Sequence, residues 1–125
     1  MNIDIEKLDV LTQELKTTLK EGLLASDIFD RNTGLSLSSF NPQPTASALF
    51  TEVTNVITST LADSGFPNLK RYYLVDMEND HSVMVVRHGN DMLQGILMNS
   101  QKVNLGILLS VALPKMLAGV EKART

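Results

Sequence analysis

Two histidines, His81 and His88, are the residues of this chain best suited to metal or acid–base chemistry. A metal needs ligands that converge. Seven residues along a strand is an odd step, so the two rings point to opposite faces and share no ion. Each is expected at the surface or at a strand end. Asp76, Glu78 and Asp80 alternate around a turn as calcium ligands do. The twelve-residue loop with its glycine and terminal glutamate is missing, so a solvated turn is expected. Ser26, Asp27 and Asp30 lie close together with no histidine spaced to activate a serine, and no serine sits in a nucleophile elbow. Gly65, Gly89 and Gly95 are scattered, and none opens a helix as a phosphate-cradling loop would. Arg31, Arg71 and Arg87 are each able to approach an anion in trans, but strand or turn ion pairs are the expectation. Met77, Met84, Met92 and Met98 are expected to fill core or contact-surface gaps. No catalytic residue, metal site or cofactor site is expected.

The elements that would position these residues belong to one domain, 1–125, large enough for a core without staples. The chain is 43% hydrophobic and 20% charged, ordinary for a soluble globular domain. With no cysteine, thiol catalysis, disulfides and cysteine-ligated zinc are excluded. That fits a reducing compartment, and a cytoplasmic location is expected. The N-terminus carries acids where a signal peptide carries bases. The longest weakly charged run, 103–113, is too short to span a membrane. The net charge is −3 and no basic patch interleaves with aromatics, so nucleic acid is not an expected partner.

Leu8, Leu11, Leu15 and Leu19 recur at helical steps and predict a first helix over 4–20, capped by Asp4 and stopped near Gly22. Residues 23–29 read as a strand. Asp30-Arg31-Asn32-Thr33-Gly34 is turn chemistry, and Leu35-Ser36-Leu37-Ser38 alternates as a second strand with one buried face. Pro42 and Pro44 end it. A second helix over 45–63 starts at Thr45 as N-cap. Residues 69–76, 81–88 and 91–99 read as three strands of an antiparallel meander, with Gly89-Asn90 as a two-residue type II′ hairpin. A third helix begins between Ser100 and Asn104 and runs to Lys122. Its expected face is Leu105, Leu108, Leu109, Ala112, Met116, Leu117 and Val120, widened by Ile107 and Val111. Pro114 should kink it.

The second helix is unusual. Leu49, Phe50, Val53, Val56, Ile57 and Leu61 are its expected buried stripe. The opposite side carries Ser47, Thr51, Thr54, Asn55 and Thr58, small uncharged residues that are poor helix formers for an exposed surface. Glu52 and Asp63 are the only charges in 45–63. Either this side lies against the rest of the chain, or it meets another protein at close range.

The order α-β-β-α-β-β-β-α, with Gly22-Leu23-Leu24-Ala25 entering the first strand, Asp30 to Leu35 at the first turn and Asn104-Leu105-Gly106-Ile107-Leu108 opening the last helix, resembles the roadblock family of dynein light chains and small-GTPase partners. The resemblance runs from Leu8 to Leu117; Phe29 and Pro114 depart from it. It implies an α+β fold: a five-stranded antiparallel sheet in the order 2-1-5-4-3, helices 1 and 3 on one face and helix 2 on the other. It implies a homodimer joined through the third strand, here Leu69, Arg71, Tyr73, Leu74 and Val75. The proline-free edge at 69–76 agrees, because an apolar edge is a liability unless paired. MglB-like members bind Ras-like GTPases on the paired second helices, which here would use Ala48, Thr51, Glu52, Asn55 and Thr58. A non-enzymatic adaptor or regulator of a small Ras-like GTPase is therefore the leading expectation. The alternative is a profilin-like or PAS-like ligand sensor with a cavity lined by Tyr72, Met84 and Met98.

Overall fold

The computed structural model describes residues 1–125. α1 spans Ile5–Leu19 and is capped at Asp4, whose side chain accepts from the Lys7 N–H at 3.2 Å. β1 (Leu23–Asp30) and β2 (Ser36–Phe40) follow, then α2 (Ala46–Asp63). β3 (Tyr72–Met77), β4 (His81–His88) and β5 (Met92–Asn99) form the meander. The last helix, α3, is composite: Leu105–Ile107, a π-helical stretch Leu108–Ala112, and Leu113–Ala123. The five strands make one antiparallel sheet in the order β2-β1-β5-β4-β3, as the resemblance implied. No helix is long and apolar enough to cross a membrane.

Strand alternation sorts the core into two layers. On one face Ile28, Met84, Val86, Met92, Ile96 and Met98 meet the leucine stripe of α1 and the Leu108, Ala112, Leu113, Met116 and Val120 side of α3. On the other, a smaller cluster of Phe29, Val83, Val85 and Leu93 lies under Phe50 of α2, with Tyr73 and Leu97 beside it. The glycine at 95 lets α2 come down: a Cβ there would run into the Phe50 ring.

Several local expectations are corrected. In β2 the buried residue is Ser38, not its apolar neighbours. Ser36 stands opposite Phe29 and Ser38 opposite Ile28, which makes Leu37 an extra, bulged residue and leaves Leu35 64% exposed. Ser38 is tolerated inside because its hydroxyl donates to Asp9 at 2.6 Å and shares a 2.8 Å bond with Thr12 of α1. The β4–β5 loop has three residues rather than two, since His88 pairs with Met92. Thr45 makes no side-chain cap to α2. Just before Pro114, α3 widens into a π-helical turn: the Leu113 N–H reaches back to the Leu108 carbonyl, the π register. Leu105, Ile107 and Val111 are exposed instead of lying on the buried face.

The histidines part company. His81 is exposed; His88 is almost wholly buried, which the sequence did not indicate. Its Nε2 lies 2.9 Å from the Gln94 Oε1, an oxygen that only accepts, so Nε2 carries the proton. Gln94 in turn donates to the Met116 sulfur. Arg124 closes this end of the sheet, bonding the His88 carbonyl at 3.0 Å and Asp91 at 2.8 Å. Burial pushes the His88 imidazole below its usual 6.5, opposed by the Gln94 bond. Protons therefore bind the unfolded chain more readily. The contribution of His88 is complete above pH 6.5 and is lost as pH falls below that value through the lower folded-state value. Urea midpoints of wild type and His88→Gln should run parallel above pH 7 and converge, then cross or close, as pH falls toward 5. Parallel curves throughout would show that His88 binds its proton equally well in the folded and unfolded states.

Candidate functional site

α2 and β3 together make the surface that the resemblance marked. The threonines of α2 solve the puzzle of its composition. Thr51 donates to the Ser47 carbonyl at 2.8 Å, Thr54 to Phe50 at 2.7 Å and Thr58 to Thr54 at 3.0 Å. Each hydroxyl is satisfied within the helix four residues back, so its methyl side packs as a small apolar residue. Thr54 is fully buried and shares a 2.9 Å bond with the Tyr73 hydroxyl of β3. Burial raises the Tyr73 phenol above its ordinary value, with the Thr54 bond acting the other way.

The helix is thus turned relative to the expected stripe. Phe50 packs on the sheet and Thr54 is fully buried against it, with Val53, Ile57 and Leu61 half-buried; Leu49 and Val56, expected inside, are 54% and 59% exposed. The partner-binding set divides. Ala48, Glu52 and Asn55 are exposed, whereas Thr51 and Thr58 are half-buried with their hydroxyls committed. Between α2 and the β1–β2 turn runs an open groove of about 730 Å³, bordered by Gly34, Ala48, Thr51, Glu52, Asn55 and the Arg31 side chain. The turn is fixed by positive φ at Gly34, by Asp30 accepting from the Asn32 N–H at 2.8 Å, and by the Arg31 N–H bonded to the Asp91 carbonyl at 2.8 Å. Arg31 Nη2 donates to Asn55 Oδ1 at 2.6 Å across the groove. This pairing, 24 residues apart, had no sequence signal. Neither Arg31, Arg71 nor Arg87 forms the ion pair expected of it: the ion pairs belong to Lys102, Lys115 and Arg124. Arg87 instead bonds the Leu69 carbonyl at 2.7 Å.

β3 begins at Tyr72, later than expected, so Leu69 and Arg71 precede the strand. Tyr73 faces α2, while Leu74 and Val75 are 41% and 38% exposed. Only β4 pairs with β3, which leaves its other side open. The Arg87 N–H bonds the Arg71 carbonyl, and alternation along an antiparallel ladder then turns the backbone groups of Tyr73 and Val75 toward β4 and those of Tyr72, Leu74 and Asp76 outward. A cavity lined by Tyr72, Met84 and Met98 is not formed: Met84 and Met98 are closed in the core and Tyr72 packs against it. An open cleft of about 310 Å³ lies beside Leu74, Val103 and Leu105 and touches only Met98 of the three. No group of three or more His, Cys, Asp or Glu side chains is placed to hold a metal ion.

Comparison with solved structures decides the fold. MglB of Myxococcus xanthus superposes with a TM-score of 0.76 at 13% identity, covering 97% of this chain and 92% of that one. The gliding protein MglB of Thermus thermophilus gives 0.71 at 18% identity, over 94% and 91%. A roadblock domain of Streptomyces avermitilis gives 0.61 at 14%, over 91% and 92%. The chain has the roadblock fold. No family model matches its sequence, and no curated relative matches it either. On this roadblock frame the open β3 edge and the outer side of α2 share one layer, because Tyr73, Val75 and Met77 alternate onto the face that α2 covers.

Proposed function

We propose that two copies of this chain join through β3 and the outer ridge of α2, and that the doubled α2 face binds a small Ras-like GTPase as an adaptor or regulator. The observation that carries this reading is the open, proline-free β3 edge beside exposed apolar residues on the α2 face: Val75 and Met77 on the strand, Leu49 and Val56 on the helix. An edge of that kind exposed in a monomer invites uncontrolled pairing, and a symmetric dimer uses the same patch twice. The similarity in fold to MglB supports it, as does the resemblance to GTPase partners set out from the sequence. The reading assigns the chain no catalytic residue and no cofactor; its effect on the partner is by contact. It treats residues 1–125 as a single roadblock domain that works in the cytoplasm.

The test uses Ala48→Arg. Ala48 is exposed and borders the groove, so a long cation there blocks a docking protein while stability moves by only about 0.5 kcal/mol. Calorimetry against the GTPase recovered from native cell extract should show wild type binding in one nucleotide state preferentially, since switch loops differ between states. The variant should bind at least about tenfold more weakly, a loss of about 1.4 kcal/mol. Equal affinity for both proteins would move the binding surface off α2.

A further inference from the structure

The groove itself carries a recognition chemistry. We propose that it is a carboxylate-reading notch, in which Arg31 clamps one acidic side chain of the docked protein. The inference rests on the reading of the α2 face as the partner's seat. A guanidinium has five N–H donors in a fixed fork. Arg31 uses one of them, on the Asn55 amide oxygen, and no carboxylate lies within ion-pairing distance. The neighbouring Asp30 is already engaged by the Asn32 and Thr33 amides. Arg31 is half-buried and its backbone is tied to Asp91, so its head is held over the groove rather than free in solvent. A planar fork in that state is suited to bidentate capture of a carboxylate. Small residues, Gly34 and Ala48, leave room for an incoming side chain. On capture, Arg31 exchanges the Asn55 oxygen for the ligand, and the freed amide turns its NH₂ toward the same carboxylate. Glu52 borders the groove without an ion-pair partner, so the fitting segment carries one acid beside a base rather than a run of acids.

Phosphate offers the same fork chemistry, and the experiment separates the two. The full chain, labelled with ¹⁵N, is titrated with a blocked alanine hexapeptide bearing one glutamate and one lysine, with its glutamine counterpart, and with inorganic phosphate. The Arg31 Nε–H and Asn55 side-chain signals are followed by NMR. The glutamate peptide should shift both signals, the glutamine peptide should bind about ten- to a hundredfold more weakly, and in Arg31→Gln the Asn55 side-chain signals should no longer respond to the glutamate peptide. Equal binding of the glutamine peptide, equal response to phosphate, or an unchanged titration of Arg31→Gln overturns the proposal. The GTPase supplies the second arm. A partner that loses Ala48→Arg but binds Arg31→Gln as tightly as wild type overturns the notch alone. A partner indifferent to both variants overturns the reading of the α2 face.

Discussion

Gly95→Val unfolds at markedly lower urea than wild type, by about 1–3 kcal/mol, the range for forcing extra volume into a packed site. Gly95 sits in the central strand β5, opposite Asp27 of β1 and Val85 of β4, so the sheet cannot retreat on either side. A Cβ at this position would enter the ring of Phe50, the residue through which α2 meets the smaller core cluster. A glycine in a strand interior costs about 0.5–1 kcal/mol by itself, so propensity alone would make valine stabilising here. The close approach decides the sign. Two outcomes separate the effects. If the clash dominates, Phe50→Ala in the Gly95→Val background recovers part of the loss, with a coupling of about 0.5–3 kcal/mol in the double-mutant cycle. If Gly95→Val is as stable as wild type, Phe50 swings aside freely and the fit of α2 to β5 is incidental.

That fit shows why some of the molecule was legible in the sequence and some was not. The leucine stripe of α1 was, because each leucine is buried for the plain reason of its side chain and the spacing is regular. The strands were legible from alternation and turn residues, but their order in the sheet came only with the resemblance, since periodicity says nothing of which strand neighbours which. α2 misled because its threonines behave as apolar residues once their hydroxyls bond the preceding turn. The apolar arc from Leu49 to Leu61 was also too wide for a single sheet to cover, and that width was the available sign that Leu49 and Val56 stay outside. β2 misled because a bulge shifts which residue points inward, and a bulge has no signature in five residues. Pro114 announced a disturbance but not its form. Ala48, Glu52 and Asn55 were named from the sequence, and the fold leaves them exposed; Arg31 was noticed as an arginine but its place beside Asn55 depends on how the β1–β2 turn folds over the helix.

The proposed dimer makes the sharpest demand on the strand edge, because backbone polarity there alternates residue by residue. Leu74 directs its N–H outward, away from β4, while Val75 directs its N–H toward Val83. Proline removes one donor and is tolerated on an edge only where that donor faces outward. Leu74→Pro should therefore leave β3 on its sheet and remove a donor that a second β3 requires. The variant should stay folded by circular dichroism and scatter light as a single chain where wild type scatters as two. Val75→Pro should do the reverse kind of damage: it breaks a ladder bond to β4 and lowers thermal stability whether or not a dimer exists. Val75 lies on the α2 face and Leu74 on the opposite one, beside Val103 and Leu105, so lost apolar contact alone predicts that Val75→Pro, not Leu74→Pro, weakens a dimer seated on α2. A monomeric Leu74→Pro protein is therefore the signature of edge-to-edge pairing. A wild type that is monomeric at about tens of micromolar, well above the dissociation constant of a stable dimer, would sink the pairing outright. A Leu74→Pro protein that remains a dimer would place the contact on the Leu49 and Val56 ridge of α2 alone, with the strand edge left open to another partner.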